Sequence, residues 1–298
     1  MEETYLKAAQ IISGSGYGVA LSGAGMSAES GIMTYRDRGG LWDRYPEGGK
    51  YGILGLIEKH PEDALAIIRD FIGVLKKAMP NAAHRALVEL ESRGCLGSVI
   101  TQNVDGLHAM AGSNQVYELH GNIYRLRCLS CGNRIELAKD EFFEMADRVI
   151  GTTFLSLDAM FSLIPRCECG GFMRPDIVGF GEPVQDFEAA CEEVSICSWM
   201  IIVGTSGMVY PAASLPYLAR ENNAFIIEIN TEKSKLSHLA DILILGSAGR
   251  ILPLIMEGIG LDDESIPERL SHSKTRQGIS LKPRITKRIE KGGVRHEC

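Results

Sequence analysis

Residues 18–42 read GVALSGAGMSAESGIMTYRDRGGLW, an apolar run that turns abruptly into small residues. Val19, Ala20 and Leu21 predict a short buried strand. In Ser22-Gly23-Ala24-Gly25 no side chain exceeds a methyl or a hydroxyl, so a ligand can approach this backbone. Gly23, Gly25 and Ala28 satisfy G-x-G-x-x-G/A, in which small residues permit a tight turn and aim backbone N–H groups at a pyrophosphate. The acidic ribose-binding residue usual about 20 positions on, at the end of a second strand, is missing. Asp43 has the spacing but follows Gly- and Arg-rich sequence. The stretch therefore predicts an atypical dinucleotide site.

Outward from it, apolar strands alternate with helical patterns. Helices are expected over 5–13, from Pro61 to Pro80, and over 82–93, where Asn81 can cap, 186–196, 212–221 and 248–258. Strands are expected over 97–101, 115–119, 199–203, 224–229 and 241–245, and a loop from Trp42 to about residue 53. The strands show little period-2 alternation, as expected when helices cover both faces of a parallel sheet. The pattern predicts an α/β fold, a doubly wound, mostly parallel Rossmann-like sheet over 1–39, 80–125 and 173–260. Segments 40–79 and 126–172 interrupt it and are expected to form a smaller inserted domain, with one helical stretch over roughly 138–164.

The chain has 298 residues, enough for one large domain and a smaller one. Met1-Glu2-Glu3 starts acidic and no apolar run approaches the ~20 residues needed to span a bilayer, so a cytoplasmic protein without membrane segments is expected. Residues 271–298 hold eight Lys/Arg and two Glu, a net of +6 against −7 for the whole chain, leaving an acidic body. That charge argues against nucleic acid as the main partner. The tail, 261–298, is poor in large apolar residues and is expected to be a disordered, solvated terminus.

Four of the eight cysteines form two close pairs, Cys128-x₂-Cys131 and Cys167-x-Cys169. Four thiolates at short pairwise range suit tetrahedral Zn²⁺ and leave no open position for water, so a structural zinc ribbon is expected. Cys95, Cys191, Cys197 and Cys298 are scattered.

Polar residues cluster where strands should end. Gln102, Asn103 and Asp105 follow one strand and His120 another, while the turn from Gly23 to Arg36 follows a third. If these strands are adjacent, an imidazole, a carboxamide and a carboxylate converge on whatever the glycine turn holds. His120 could then serve as a general base near neutral pH. Composition alone does not rank it above His84 or His108, which equally fit buried, hydrogen-bonded histidines.

GAGMSAESGI, TQNVDGLH (101–108), ELHGN (118–122), RPDIVGFGE (174–182) and GTSGMVYPAA (204–213) together resemble the sirtuin family of NAD-dependent protein-lysine deacylases, in order and spacing, over about residues 5–260. The paired cysteines lie where that family keeps its zinc ribbon. The resemblance implies an NAD site lined by Gly23, Ala24, Gly25, Tyr35, Arg36, Gln102, Gly204, Thr205, Ser206 and Asn230, with Asn230 in the vacant ribose role. It implies that Asn103 and Asp105 hold the nicotinamide and its ribose and that His120 is the general base. It also implies that Val178, Phe180 and Gly181 edge a cleft where an acyl-lysine peptide adds as a strand. The acyl oxygen would displace nicotinamide, and the products would be free lysine and O-acyl-ADP-ribose. The Gly-rich stretch 33–50 is the implied lid.

The chain departs from the family pattern at three places. Met33 and Tyr35 stand where proline and phenylalanine are usual, and Gly179 replaces a commonly bulky residue. Members that remove acidic acyl groups carry Tyr-x-x-Arg in the helix before the PNxxH segment. Ala66 precedes Arg69 here, which makes Arg69 an ordinary polar-face residue. ADP-ribosyl transfer to protein and NAD hydrolysis are the alternative activities for the same scaffold, and a non-catalytic NAD-binding adaptor is disfavoured by the presence of Asn103 and His120.

Overall fold

The computed structural model describes residues 2–35, 40–151 and 156–259. Arg36 and the tail lie outside the described residues, as does part of the stretch expected to be a lid.

The chain opens with α1 (Glu2–Gly14) and enters β1 (Gly18–Ser22), which runs into a 3-10 turn over Ala24–Ser30. Then come α2 (Leu41–Arg44), α3 (Pro46–Lys59), α4 (Pro61–Leu75), α5 (Ala82–Ser92), β2 (Leu96–Thr101), α6 (Leu107–Ala111) and β3 (Val116–Glu118). The middle of the chain forms β4 (Gly121–Cys128), β5 (Arg134–Glu136), α7 (Lys139–Ile150), α8 (Leu157–Leu163) and β6 (Met173–Ile177). It closes with α9 (Phe187–Ile196), β7 (Trp199–Val203), α10 (Leu215–Glu221), β8 (Phe225–Asn230), β9 (Ile242–Leu245) and α11 (Ala248–Ile259).

Six strands form one parallel sheet in the order β3-β2-β1-β7-β8-β9. Every residue of β1 and β7 is buried, and successive side chains feed opposite layers. Ala20, Ile201 and Val203 pack with Ile12, Leu87, Leu90 and Ile255 from α1, α5 and α11. Val19, Leu21, Met200 and Ile202 pack with Ala190, Val194, Leu215 and Ala219 from α9 and α10. The continuous apolar runs follow from this double cover. The chain leaves β1 towards β2 on one side and reaches β7 on the other, so a switch point opens above their carboxyl ends, where such sheets bind ligands.

A second apolar core joins Leu56 and Ile57 of α3, Ile67, Ile72 and Leu75 of α4, and Phe142, Met145 and Val149 of α7 to Leu126 and Met173. The latter two belong to a separate antiparallel sheet, β5-β4-β6.

Three expectations need correction. The stretch after Trp42 expected to be a loop is helical, because Pro46 at a first helical position and Leu56 and Ile57 on a buried face outweigh its glycines. Gly52, at φ +67° and ψ 176°, divides it into two helical pieces across a kink. The helical stretch over 138–164 is two helices, with Ser156 capping the second through Ala159 N–H at 3.1 Å. The segment 212–221 begins as a 3-10 turn over Ala212–Ser214 before α10. Asp43 sits on α2, away from any strand end. Among the described residues no helix is long and apolar enough to cross a membrane.

Candidate functional site

Strand ends and one inter-sheet edge converge on a cavity of about 870 Å³. The turn after β1 supplies Gly23, Ala24 and Gly25, and the turn after β2 supplies Gln102 and Asn103. Gly204, Thr205 and Ser206 follow β7, and Asn230 ends β8. His120 follows β3, while Val178, Phe180 and Gly181 follow β6. Tyr35 lines the wall, its ring 5.6 Å from that of Trp42.

The glycines serve first to let two turns touch. Gly25 N–H donates to the Gly204 carbonyl at 2.8 Å, and Gly23 N–H to Val203 at 2.9 Å. A Cβ on Gly25 would stand 2.7 Å from Gly204 Cα, and Gly204 itself holds φ +60°. Side chains at either position would pry the turns apart.

Asn103 is fixed on this turn. Its Nδ2 donates to the Gly23 carbonyl at 3.0 Å and to Ser27 Oγ at 3.2 Å. Asp105, also buried, accepts from Ser27 Oγ at 2.7 Å and from Leu107 N–H at 2.9 Å. Burial pushes its carboxyl up, and those two hydrogen bonds oppose that shift. Gln102 Nε2 donates to Thr205 Oγ1 at 3.0 Å, and Asn230 Nδ2 to the Thr205 carbonyl at 2.8 Å, so one threonine joins three turns.

His120 Nδ1 lies 2.9 Å from the Gln102 carbonyl. A carbonyl only accepts, so Nδ1 carries the proton and Nε2 keeps its lone pair. Burial depresses the imidazole below its usual 6.5, with the carbonyl hydrogen bond acting the other way, so the ring is neutral at pH 7. The other two candidates separate cleanly: His84 and His108 are fully buried in the fold, and neither lines the cavity.

The edge after β6 is braced by charge. Arg174 donates to Glu182 and Glu182 accepts from Gly179 N–H at 2.9 Å, while Val178 N–H donates to the His120 carbonyl at 2.9 Å. Asp176 is fully buried between Arg125 Nε at 2.7 Å and Arg134 Nε at 2.9 Å. Burial alone would raise that carboxyl, yet the two guanidiniums hold it below the usual carboxylate range.

A model of the Sir2 family matches residues 23–211, from the glycine turn to the segment after β7. The chain belongs to the Sir2 family. An NAD-dependent protein deacylase of Desulfosudis oleivorans is 41% identical over 258 residues, covering 85% of this chain and 94% of the relative. A Sir2 homologue solved as an NAD complex is 38% identical, with a TM-score of 0.68 over 85% of this chain and 93% of that one. A third, Sir2Af2, solved with a myristoylated histone peptide, is 34% identical with a TM-score of 0.63, over 87% and 97%.

In this Sir2 chain the four paired cysteines meet, their Sγ atoms all within 4.8 Å of one another. Cys128 and Cys169 are 3.6 Å apart at sulfur, as are Cys131 and Cys167. A tetrahedron with Zn–S bonds of about 2.3 Å has edges of about 3.8 Å, so the cluster fits Zn²⁺ bound by four thiolates.

Four residues of the Sir2 site escape sequence reasoning. Ser27 holds both Asn103 and Asp105, and the Glu29 carboxylate caps the N-terminus of α11 through Gly249 N–H and Ser247 Oγ. Arg174 and Glu182 brace the cleft edge. Ser27 and Glu29 lie inside the glycine motif, but only their partners, 78 and 220 positions away, reveal their use.

Proposed function

We propose that this protein is an NAD-dependent protein-lysine deacylase that converts NAD, water and an acyl-lysine protein into nicotinamide, free lysine and O-acyl-ADP-ribose. The observation that carries this reading is His120, whose unprotonated Nε2 shares a cavity with the glycine turn and Asn103. NAD fits the residues present: amide-rich turns at the switch point, a buried Asn/Asp pair, and Asn230 at the end of β8 for the ribose. NAD supplies an electrophilic C1′ with nicotinamide as leaving group.

In this reading the residues divide the work. Gly23, Ala24 and Gly25, with Gly204, Thr205 and Ser206, line the phosphate and ribose path. Gln102 and Asn230 set the Thr205 turn. Asn103 and Asp105, locked by Ser27, position the nicotinamide end, where fixed dipoles stabilise developing charge better than reorienting water does. Tyr35 closes that end, and Arg36, outside the described residues, is assigned to the NAD site by the family resemblance alone. His120 Nε2 accepts the proton of a ribose hydroxyl, the Gln102 carbonyl holding the ring in the competent tautomer. The Val178 and Gly179 amides are engaged internally, which leaves the Val178 carbonyl and the residues Phe180 and Gly181 as the edge for an added strand. We assign the second core, drawn mostly from segments 40–79 and 126–172 with Ile32, Leu107, Ile123 and Met173 added, to the small domain, whose ribbon the zinc site shapes. The acidic body suits a protein partner better than nucleic acid, and we place the enzyme in the cytoplasm.

The cavity extends into the second core along Ile57, Ile67, Phe71, Phe142, Met145 and Val149. This apolar arm favours an aliphatic acyl group, each buried methylene contributing about 0.8 kcal/mol. Arg69 does not line it, and its guanidinium donates instead to the Ile150 carbonyl at 3.4 Å. Acetyl-, succinyl- and myristoyl-lysine peptides compared at equal NAD test the point. Apparent affinity should rise from acetyl to myristoyl with succinyl weakest, and a succinyl preference would overturn this assignment.

A further inference from the structure

Beneath the glycine turn, outside the cavity, two histidines form a buried pair that the proposed mechanism does not use. His84 on α5 and His108 on α6 are 0% and 2% exposed, and their ring centroids lie 4.8 Å apart. Two of their ring nitrogens, His84 Nε2 and His108 Nδ1, are buried without a partner among the described residues. Buried polar atoms are nearly always satisfied, so two such atoms on adjacent rings require an explanation.

The bonds on the far sides of the rings fix the protons. Asn81 N–H donates to His84 Nδ1 at 3.3 Å as part of the α5 cap. Asn81 Oδ1 also lies 3.0 Å from this nitrogen, but it already accepts from Ala83 N–H at 2.9 Å and His84 N–H at 3.3 Å. Asn81 N–H, in contrast, has no other acceptor among the described residues. A backbone N–H cannot accept, so we place the His84 proton on Nε2. Ser22 Oγ donates to Thr101 Oγ1 at 2.8 Å and therefore accepts from His108 Nε2, also at 2.8 Å. His108 Nδ1 is then a bare lone pair. The two partnerless nitrogens are one donor and one acceptor.

We infer that His84 Nε2–H and His108 Nδ1 are joined through one buried water, completing a one-directional hydrogen-bond relay from Asn81 N–H to Thr101 Oγ1 that positions Asn103. The relay reaches the proposed NAD site at both ends. Thr101 Oγ1 also accepts the Asn103 N–H at 3.1 Å, and Asn81 Nδ2 donates to the Met26 carbonyl at 2.8 Å and to Ser30 Oγ at 3.1 Å. One end thus seats the residue facing the nicotinamide, and the other seats the turn carrying Ser27. Aligned hydrogen bonds in a low-dielectric interior polarise one another, which stiffens such a chain. Burial lowers His84 to about 4, with Arg85 adding to the shift, and lowers His108 to about 3, with His84 adding to it. Both rings therefore stay neutral, and their tautomers stay fixed, at working pH. His84 and His108 are positioning residues in this account, not catalytic ones.

The inference rests on the reading of the cavity as an NAD site, and two measurements separate the two. Long-range ¹H–¹⁵N spectra of the full chain labelled at histidine, assigned with His84→Gln and His108→Gln, should show both rings as Nε2–H tautomers with slowly exchanging ring protons at pH 7. An Nδ1–H tautomer or fast tautomer exchange at either ring overturns the relay, whatever the enzyme does. Peptide-dependent nicotinamide release then tests positioning. His108→Leu keeps the volume but removes the donor to Ser22 and should lower kcat roughly tenfold to a hundredfold, with the KM for NAD little changed. His108→Gln returns an N–H near the Nε2 position and should restore most of that loss. Equal kcat in wild type and in folded His108→Leu, or no rescue by Gln, contradicts the positioning role. Calorimetry of NAD binding to the wild type reports on the site itself: its failure overturns the cavity assignment and, with it, the relay's role in seating Asn103, while the tautomer result is unaffected.

Discussion

His120 Nδ1 sits 2.9 Å from the Gln102 carbonyl oxygen, which joins the ends of β2 and β3 through one imidazole and fixes which nitrogen faces the cavity. Because burial lowers this ring below 6.5, its neutral form persists to lower pH than in a free histidine. The acid limb of kcat/KM for deacylation should therefore have its midpoint below pH 6.5. A pH–rate profile with a midpoint at 7 or above would argue against His120 as the free-enzyme base.

Gly25 faces Gly204 with no room for a methyl group. Gly25→Ala should destabilise the fold by about 1–3 kcal/mol and raise the KM for NAD, because the two turns must part. Urea denaturation and NAD titration check it; an Ala variant with wild-type stability and KM would show that the turns do not need their close approach.

The buried pair His84 and His108 makes stability sensitive to acid. Above pH 6.5 the rings are neutral in both folded and unfolded chains. As pH falls from 6.5 towards about 4, the unfolded chain protonates both while the folded chain protonates neither, so stability is lost as pH falls. The pair contributes a slope of up to ~2.7 kcal/mol per pH unit across that window. His108→Gln should remove about half of it, read as a shallower decline of urea midpoint between pH 6 and pH 4.5. An unchanged slope would mean that the folded ring titrates normally.

The sulfur cluster should hold one zinc per chain. Cys131→Ala should abolish zinc retention measured by atomic absorption and lower Tm by roughly 2–4 °C for each kcal/mol lost. Since β4 leads from His120 to Cys128 and β6 leads back to Val178, the KM for peptide should rise more than the KM for NAD. Full zinc retention would exclude Cys131 as a ligand.

Much of this was legible from residue types alone. Small residues after an apolar strand announce a turn against a ligand, and two close cysteine pairs announce zinc, because both signals are local. The central strands were legible because double cover leaves them uniformly apolar. The histidines were not separable from sequence: only tertiary burial tells the cavity-facing His120 from the enclosed His84 and His108. The helix over Pro46–Lys59 was hidden by its glycines, since the burial of Leu56 and Ile57 against α4 and α7 has no local signature. Ser27 was hidden for a similar reason, its partners Asn103 and Asp105 lying on another turn.

The most direct test of the central claim is stoichiometric. Purified enzyme, NAD and an acyl-lysine peptide are incubated while nicotinamide release and peptide mass are followed together, with His120→Ala alongside. One nicotinamide per acyl group removed, no release without peptide, and no deacylation by the variant is the predicted result. Nicotinamide released while the peptide keeps its acyl group would contradict it and assign the cavity to ADP-ribosyl transfer or NAD hydrolysis instead.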